Sequence, residues 1–149
     1  MRTKFKLLHT DAKLPSYASA GASGFDLVAI EDVPFIAAGQ TVLVKTGLSV
    51  EIPEGFEMQV RPRSGLSLKP PLRVANAPGT VDSDYRGEVG VIITNITAPG
   101  CGPVLSIKKG DRIAQGVICP VYRADMVLAL DEELTETVRG SGGFGSTGI

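Results

Sequence analysis

Short runs of β-branched and aromatic residues recur along the chain, and turn-forming glycine, proline and aspartate residues separate them. Runs of this length at this spacing are typical of an all-β sandwich or barrel. The 18 glycines and 10 prolines fit a protein with many turns. One segment, residues 64–69, has helical character, and Pro70-Pro71 would end it. We predict strands at residues 5–8, 25–30, 41–45, 48–52, 56–61, 73–76, 87–95, 104–107, 112–122 and 126–130.

Length and composition predict a single soluble domain. A chain of 149 residues with 43% hydrophobic and 21% charged residues can bury a substantial core. We expect residues 1–138 to form this β core. The composition then changes, and we expect the glycine-rich residues 139–149 to form a flexible C-terminal lid or arm.

The net charge and the absence of targeting signals limit which binding partners and cellular locations we expect. A net charge of −1 argues against a nucleic-acid polymer as the main ligand. No apolar run is long enough to cross a bilayer, and the first residues lack the features of a secretory signal. Cys101 and Cys119 give no disulfide framework. We therefore expect a cytoplasmic protein that binds neither membranes nor nucleic-acid polymers.

The segment GTVDSDYRG, residues 79–87, carries an unusual density of charged groups in a hydrophobic, β-branched region. If it is an extended strand, Asp82 and Asp84 share one face and Val81 and Tyr85 the other. Two neighbouring carboxylates are costly to bury without partners. A polar hairpin tip explains them as well as a catalytic site does, so the segment alone decides nothing.

The C-terminal segment RGSGGFGSTGI contains a G-x-G-x-x-G pattern, but no helix can follow it, so it fails as a dinucleotide-binding fingerprint. One interpretation is a disordered glycine tail. The other is a mobile lid over a ligand. Arg139, Phe144, Ser146 and Thr147 favour the lid because they supply a phosphate clamp, a stacking ring and hydroxyl groups.

Three further clusters suit phosphate chemistry. The segment PRSGL puts Arg63 and Ser64 at the start of the predicted helix, where free N–H groups favour an anion. The segment GDRIAQ puts Arg112 and Gln115 on a strand after a turn, although alone it reads as a hairpin with polar edges. The segment AGASGFDL delivers Asp26, for which we favour a structural role.

Five segments, AGASGFDL, PRSGL, GTVDSDYRGEV, GDRIAQ and RGSGGFGSTG, occur in the order of the five motifs of the homotrimeric deoxyuridine triphosphatases (dUTP diphosphatases) and closely resemble them. The resemblance extends from Asp26 to Thr147. It implies a jelly-roll β-fold and a homotrimer whose shared active sites are built from residues of all three subunits. It also implies Mg²⁺-dependent hydrolysis of dUTP to dUMP and pyrophosphate, which limits uracil in DNA and supplies dUMP for thymidylate synthesis.

The resemblance also implies roles around the nucleoside. Asp82 resembles the carboxylate that activates the attacking water and meets the 3′-hydroxyl. Tyr85 resembles the ring packed under the deoxyribose, which leaves no room for a 2′-hydroxyl. Asn76 and the backbone of residues 77–81, with Gly79 and Val81, resemble the hairpin that reads uracil.

Other residues match the phosphate contacts of the family. Ser64, Arg63 and Gly65, with Gln115 of another subunit, resemble the inner phosphate contacts. Mg²⁺ would be held by substrate phosphates and water, without a direct protein ligand. In the tail, Arg139, Ser146 and Thr147 would grip the outer phosphate, and Phe144 would lie over uracil beside Gly145. Asp26, Asp84 and Arg112 match supporting members of the ionic network.

Two departures and two rival functions accompany the resemblance. Some family members carry an acid where this chain has Ala22, which leaves the strength of metal assistance open. Lys69-Pro70-Pro71-Leu72 replaces a more usual Lys-His-Gly pattern and should alter loop stiffness. One rival is a dCTP deaminase-like sibling on the same fold, and the other is a non-catalytic nucleotide-binding trimer.

Overall fold

The computed structural model describes residues 1–68, 71–102, 104–129 and 134–143. Within these residues the chain forms ten β-strands and one short helix, so the all-β prediction is confirmed. The elements are β1 (Lys4–Leu7), β2 (Phe25–Val28), β3 (Val33–Ile36), β4 (Thr41–Glu51), β5 (Phe56–Arg61), α1 (Ser64–Leu68), β6 (Leu72–Val74), β7 (Gly79–Val81), β8 (Glu88–Asn95), β9 (Leu105–Ile107) and β10 (Arg112–Pro120).

The strands form two four-stranded antiparallel sheets and one two-stranded ribbon. The first sheet has the order β1-β4-β8-β6, the second has the order β2-β10-β5-β7, and β3 pairs with β9. Neighbours in the sheets are mostly distant in sequence, as in a sandwich whose connections cross between layers. Of the predicted site residues, the second sheet carries Asp26, Gly79, Val81, Arg112 and Gln115.

Alternation along the strands builds the core. In β8 every second residue is buried, from Val89 to Asn95, and β2 and β5 alternate in the same way. Because alternate side chains of a strand point to opposite faces, one face of each sheet turns inward. The fully buried hydrophobic side chains include Leu27, Ile36, Met58, Ile93 and Ile113.

The side chains of the buried polar residues Thr46, Ser49 and Asn95 have hydrogen-bond partners. The amide of Asn95, which is fully buried, donates to the carbonyl of Ile36 at 3.0 Å and accepts from the N–H of Thr97 at 3.1 Å. The buried hydroxyl of Thr46 donates to the carbonyl of Val89 at 2.5 Å. These bonds offset the cost of burying polar groups.

Most predicted strands are found, with shifts at their ends, and the strand at 56–61 matches fully. The separate strands predicted at 41–45 and 48–52 are one strand, β4, which passes through Gly47 at a positive φ of 65°. The register of β4 against β8 shifts between Lys45 and Ser49, which accommodates this glycine. The predicted helix is found at Ser64–Leu68, and Lys69 lies outside the described residues.

Two strands of the structure were not predicted, and one predicted strand is not found among the described residues. The ribbon strand β3 was missed because Pro34 weakened its pattern, and β7 was missed because only three residues pair. Residues 126–129, predicted as part of a strand, lie in no strand, and Leu130 lies outside the described residues.

Beyond β10 the chain leaves the sandwich with its apolar side chains exposed. Tyr122 is 94% exposed, Met126 91% and Val127 83%. Within the described part of the chain, Cys101 and Cys119 are free thiols. No helix formed by the described residues is both long and apolar enough to span a membrane.

Candidate active site

A polar group, here called the Arg63 cluster, is formed by four side chains. They are Asp26 on β2, Arg63 just after the end of β5, and Arg112 and Gln115 on β10. Arg63 Nε donates to Asp26 Oδ1 at 2.7 Å, and Arg112 Nη1 donates to Asp26 Oδ2 at 3.3 Å. Arg63 Nη1 also donates to the carbonyl of Arg112 at 3.3 Å. Two guanidinium groups thus share one carboxylate, which leaves the three side chains with a net positive charge.

The resemblance assigns Gln115 to another subunit than Arg63, but within one chain Gln115 already lies in the middle of this arrangement. It is opposite Asp26 on β2 and opposite Arg61 on β5. Its Nε2 donates to the carbonyl of Pro62 at 2.9 Å. Gly24 makes room for this amide, since a Cβ there would lie 2.8 Å from Gln115 Oε1. The motif containing Gly24 was identified in the sequence, but its contact with Gln115 was not.

The start of α1 follows directly from the Arg63 cluster. Ser64 and Gly65 are exposed, and no atom lies within 4 Å of the Cβ position of Gly65. A cavity of about 420 Å³ opens here, lined by Arg63, Gly65, Ser106, Asp111 and Arg112 together with apolar residues. An anionic group could therefore approach the backbone of this turn and the neighbouring guanidinium groups.

A second group of site residues, here called the Asp82 turn, comprises residues 82–85 after β7. The N–H of Tyr85 donates to the carbonyl of Asp82 at 3.2 Å and closes a turn. The predicted strand alternation therefore fails beyond Val81, and Asp82 and Asp84 do not share a strand face. Val81 is buried at the end of β7, whereas Asp82 is exposed.

Backbone contacts hold the rest of this turn. Tyr85 Oη donates to the carbonyl of Glu88 at 3.0 Å, and the ring lies against Gly87, where a Cβ would clash with it. Arg86 Nη1 donates to the carbonyls of Ser83 at 2.6 Å and of Tyr85 at 2.9 Å. Arg86 is a contributor that the sequence analysis did not single out.

Asp84 lies beside Arg86 and Arg123 in a surface depression of about 370 Å³. Among the described residues no cation lies within 4 Å of either the Asp82 or the Asp84 carboxylate. Both carboxylates are therefore open to a ligand or to water.

Asn76 and Gly79 lie in and after the turn that connects β6 to β7. Asn76 is exposed and Gly79 is buried. Asn76 Nδ2 is 3.0 Å from the position of a Cβ on Gly79, so only a glycine lets the amide lie this close to the backbone. The Ala77-Pro78 peptide bond of this turn is cis.

The Arg63 cluster and the Asp82 turn lie at different ends of one sheet. Gln115 is opposite Arg61, and Val81 is opposite Met58 on the other side of β5. Two strand spacings and three residues along β5 separate Gln115 from Val81 by roughly 14 Å between Cα atoms. Asp82 continues away from Gln115, and Ser64 lies beyond the other end of β5.

The start of the predicted lid is a tight turn. Arg139 Nε donates to the carbonyl of Gly142 at 2.7 Å, and the N–H of Gly140, which has a φ of 50°, donates to the carbonyl of Thr137 at 3.0 Å. The other predicted lid residues, Phe144, Gly145, Ser146 and Thr147, lie outside the described residues.

The oxygen donors of the described site residues do not by themselves form a metal cage. The described part of the chain has no group of three or more His, Cys, Asp or Glu side chains that could hold an ion. Mg²⁺ prefers oxygen ligands and commonly keeps water and substrate phosphates in its shell. The open carboxylates of Asp82 and Asp84 are compatible with a metal ion that is bound mainly by the phosphates of a nucleotide. They do not form a complete metal site.

Comparison with protein families identifies the family of this chain. The profile of the family described as dUTPase matches residues 10–148. A deoxyuridine 5′-triphosphate nucleotidohydrolase of Hydrogenobaculum sp. is 50% identical over 149 residues, which is all of this chain and 99% of that protein. The protein of the same name from Wolinella succinogenes is 50% identical over 148 residues, which cover 99% of this chain and 95% of that protein.

Solved structures have the same fold. A variant of the dUTPase of Staphylococcus bacteriophage 80alpha, solved with dUpNHpp, has a TM-score of 0.88 and 27% identity, and 99% of each chain is covered. A variant of the dUTPase of phage phi11 of S. aureus, whose description names a structural Mg(II) ion, has a TM-score of 0.80 and 25% identity. That match covers 90% of this chain and 100% of the phage chain. These likenesses confirm the predicted jelly-roll class.

Proposed function

This chain belongs to the dUTPase family, and from that premise we propose that Asp82 activates the water that attacks the α-phosphorus of dUTP. The reaction releases dUMP and pyrophosphate. The observation that carries the proposal is the exposed Asp82 carboxylate, which has no ion-pair partner among the described residues and follows the Asn76–Gly79 turn.

A carboxylate is the simplest base that this chain offers. A general base must lie within hydrogen-bond reach of the proton it takes. The single histidine, His9, lies in the turn after β1, where its Nδ1 is 3.4 Å from the carboxylate of Asp11. It belongs to none of the five motifs. Asp82 accepts the proton from water while the phosphates are held in line for displacement.

The residues around Asp82 suit a deoxynucleoside. The ring of Tyr85 is held by its packing against Gly87 and, in addition, by the bond from Tyr85 Oη to Glu88, so it resists displacement by a larger sugar. Tyr85 packs under the deoxyribose and leaves no space for a 2′-hydroxyl. Asn76, held close to Gly79, and the backbone of residues 77–81 read uracil.

The phosphates are bound by the other half of the site. Arg63, Ser64, Gly65 and Gln115 contact the inner phosphates, where the net positive charge of the Arg63 cluster attracts them. The C-terminal lid completes the site: Arg139, Ser146 and Thr147 grip the outer phosphate, and Phe144 covers uracil beside Gly145. When bound, Mg²⁺ would be held by the substrate phosphates and water, and it would supply charge neutralisation.

The two halves of each site come from different copies of a homotrimer. A base must reach a water at the α-phosphorus, and the inner phosphate contacts must reach the adjacent oxygens, so both have to lie within a few hydrogen-bond lengths. A separation of roughly 14 Å or more within one chain is too long for that. The exposed apolar side chains of Tyr122, Met126 and Val127 supply further contact area between copies.

This reaction has a clear physiological consequence. It removes dUTP before it enters DNA and supplies dUMP for thymidylate synthesis. We place it in the cytoplasm, where nucleoside triphosphates are made and consumed.

Pyrophosphate release from dUTP, dCTP, dTTP and UTP tests the function. Release from dUTP at a rate well above the other three is expected, together with loss of activity when Mg²⁺ is chelated. Ammonium released from dCTP would instead identify a deaminase. Tight binding of dUTP without turnover would identify a non-catalytic nucleotide-binding protein.

A further inference from the structure

Asp26 is held between two arginines in a partly buried position. Its side chain is 31% exposed and that of Arg63 is 26% exposed, so water screens this ion pair less than a fully exposed one. The 2.7 Å bond reaches Nε of Arg63, the nitrogen nearest the side-chain stem, and not a terminal nitrogen.

This contact determines which part of the guanidinium remains free. Arg63 uses Nε for Asp26 and one Nη1 hydrogen for the carbonyl of Arg112. A guanidinium has five N–H donors in one plane. Among the described residues, Nη2 of Arg63 has no hydrogen-bond partner, so that end stays available to a ligand.

A second contact holds the same stretch of backbone. Gln115, which lies directly opposite Asp26 in the sheet, donates a hydrogen bond to the carbonyl of Pro62. Two neighbouring positions of β2 and β10 therefore hold Pro62 and Arg63, which lead into Ser64 and the start of α1.

We propose that Asp26 is a positioning residue: it orients Arg63 so that the Nη2 edge faces the substrate phosphates. The inference rests on the proposed function of the Arg63 cluster and specifies how that cluster is prepared before substrate arrives. Groups that are already oriented avoid the cost of ordering them during binding.

Positioning and simple electrostatics predict opposite effects of Asp26→Asn. Removing a negative charge beside a phosphate site should strengthen triphosphate binding if charge alone matters. Loss of the fixed guanidinium should weaken it, and we expect the Kd of α,β-imido-dUTP and the KM for dUTP to rise roughly 10- to 100-fold.

The experiment compares Asp26→Asn, Arg63→Lys and the double variant in Kd, KM and kcat. Lysine cannot reproduce the planar contact of arginine, so Arg63→Lys should weaken binding on its own. The double variant should bind no worse than Arg63→Lys, because Asp26 acts through Arg63. Asp11→Asn is the matched control: it also breaks an aspartate ion pair, with Lys109 at 2.7 Å, and should leave Kd unchanged.

Three results would overturn the inference: tighter binding by Asp26→Asn, independent and multiplying effects in the double variant, or an equal loss in Asp11→Asn. If Asp26→Asn fails to fold, Asp26→Glu keeps the charge but moves the carboxylate by one methylene group. Positioning then predicts weaker binding, and unchanged binding would reject it. Binding of the imido analogue reports on Asp26 even if dUTP is not hydrolysed, so the two proposals can fail separately.

Discussion

The Arg63 cluster and the Asp82 turn differ in how their charged groups are held. In the Arg63 cluster, Asp26 bonds both guanidinium groups and Gln115 bonds the neighbouring backbone. In the Asp82 turn, arginine and tyrosine side chains bond backbone carbonyls, and the Asp82 carboxylate stays open. One half is an ordered cationic site, and the other presents an open carboxylate.

Replacement of the free base should have the largest effect. Asp82→Asn removes the proton acceptor but keeps the shape of the side chain, so turnover should fall by roughly 100-fold or more with little change in dUTP affinity. Pyrophosphate release and binding of the imido analogue measure the two quantities. Asp84→Asn, two positions away in the same turn, should cost much less. Equal losses in both variants would reject the special role of Asp82.

Removal of the lid tests whether the two halves suffice without it. A chain ending at Val138 lacks Arg139, Phe144 and the hydroxyl residues, so efficient hydrolysis should be lost while the oligomer stays intact. Activity assays and solution mass measurements check both expectations. A truncated enzyme with full activity would show that the Arg63 cluster and the Asp82 turn complete the site alone.

Replacement of Tyr85 should alter selectivity more than rate. Tyr85→Ala opens the space under the sugar, so the preference for dUTP over UTP should fall by roughly tenfold or more. Ratios of kcat/KM for the two nucleotides measure this. Tyr85→Phe removes only the bond to Glu88 and should keep most of the preference. Undiminished discrimination in Tyr85→Ala would refute the steric explanation.

The smallest expected effect is on stability, and it comes from two ion pairs that lie outside both the Arg63 cluster and the Asp82 turn. Lys4 bonds the Glu51 carboxylate and Lys109 bonds that of Asp11, and these contacts lower the pKa of each carboxyl group below its ordinary value. A lowered folded pKa adds stability at neutral pH that is lost as the pH falls through that pKa, below about pH 4.

Glu51→Gln combined with Asp11→Asn should therefore lower Tm by no more than about 2 °C at pH 7. The difference should shrink as the pH falls through the lowered pKa values of the two native carboxyl groups, because these groups then become protonated too. Thermal unfolding measured from pH 7 to pH 3 tests this. Dependence of activity on these two residues would show that the site extends beyond its two halves.

The short apolar runs and the turn residues between them predicted the β-sandwich but not all of its strands. β5 alternates and β10 is rich in buried residues, and each pairs with a strand on both sides, whereas β3 contains Pro34 and β7 pairs over only three residues. Residues 126–129 have an apolar pattern without a partner strand in the described part of the chain. An apolar sequence pattern indicates that a segment can be buried, but it does not indicate which part of the protein or which other copy covers the segment.

The motifs predicted the site residues but not how they are grouped. Asp26 and Arg63 are 37 positions apart, and no local signal indicates that they touch. Their contact depends on the pairing of β2, β10 and β5. The same pairing separates Gln115 from Asp82, although a linear reading of the motifs suggests one continuous pocket.

Mixing two inactive variants tests most directly whether each site joins halves from two copies. One variant carries Asp82→Asn, and the other carries Ser64→Ala with Gln115→Ala. In randomly mixed trimers, roughly a quarter of the sites combine an intact Asp82 turn with an intact phosphate half from the next copy. Recovery of about that fraction of the unmodified activity is predicted. Mixed oligomers that form but show no activity beyond that of the two separate variants would contradict the account.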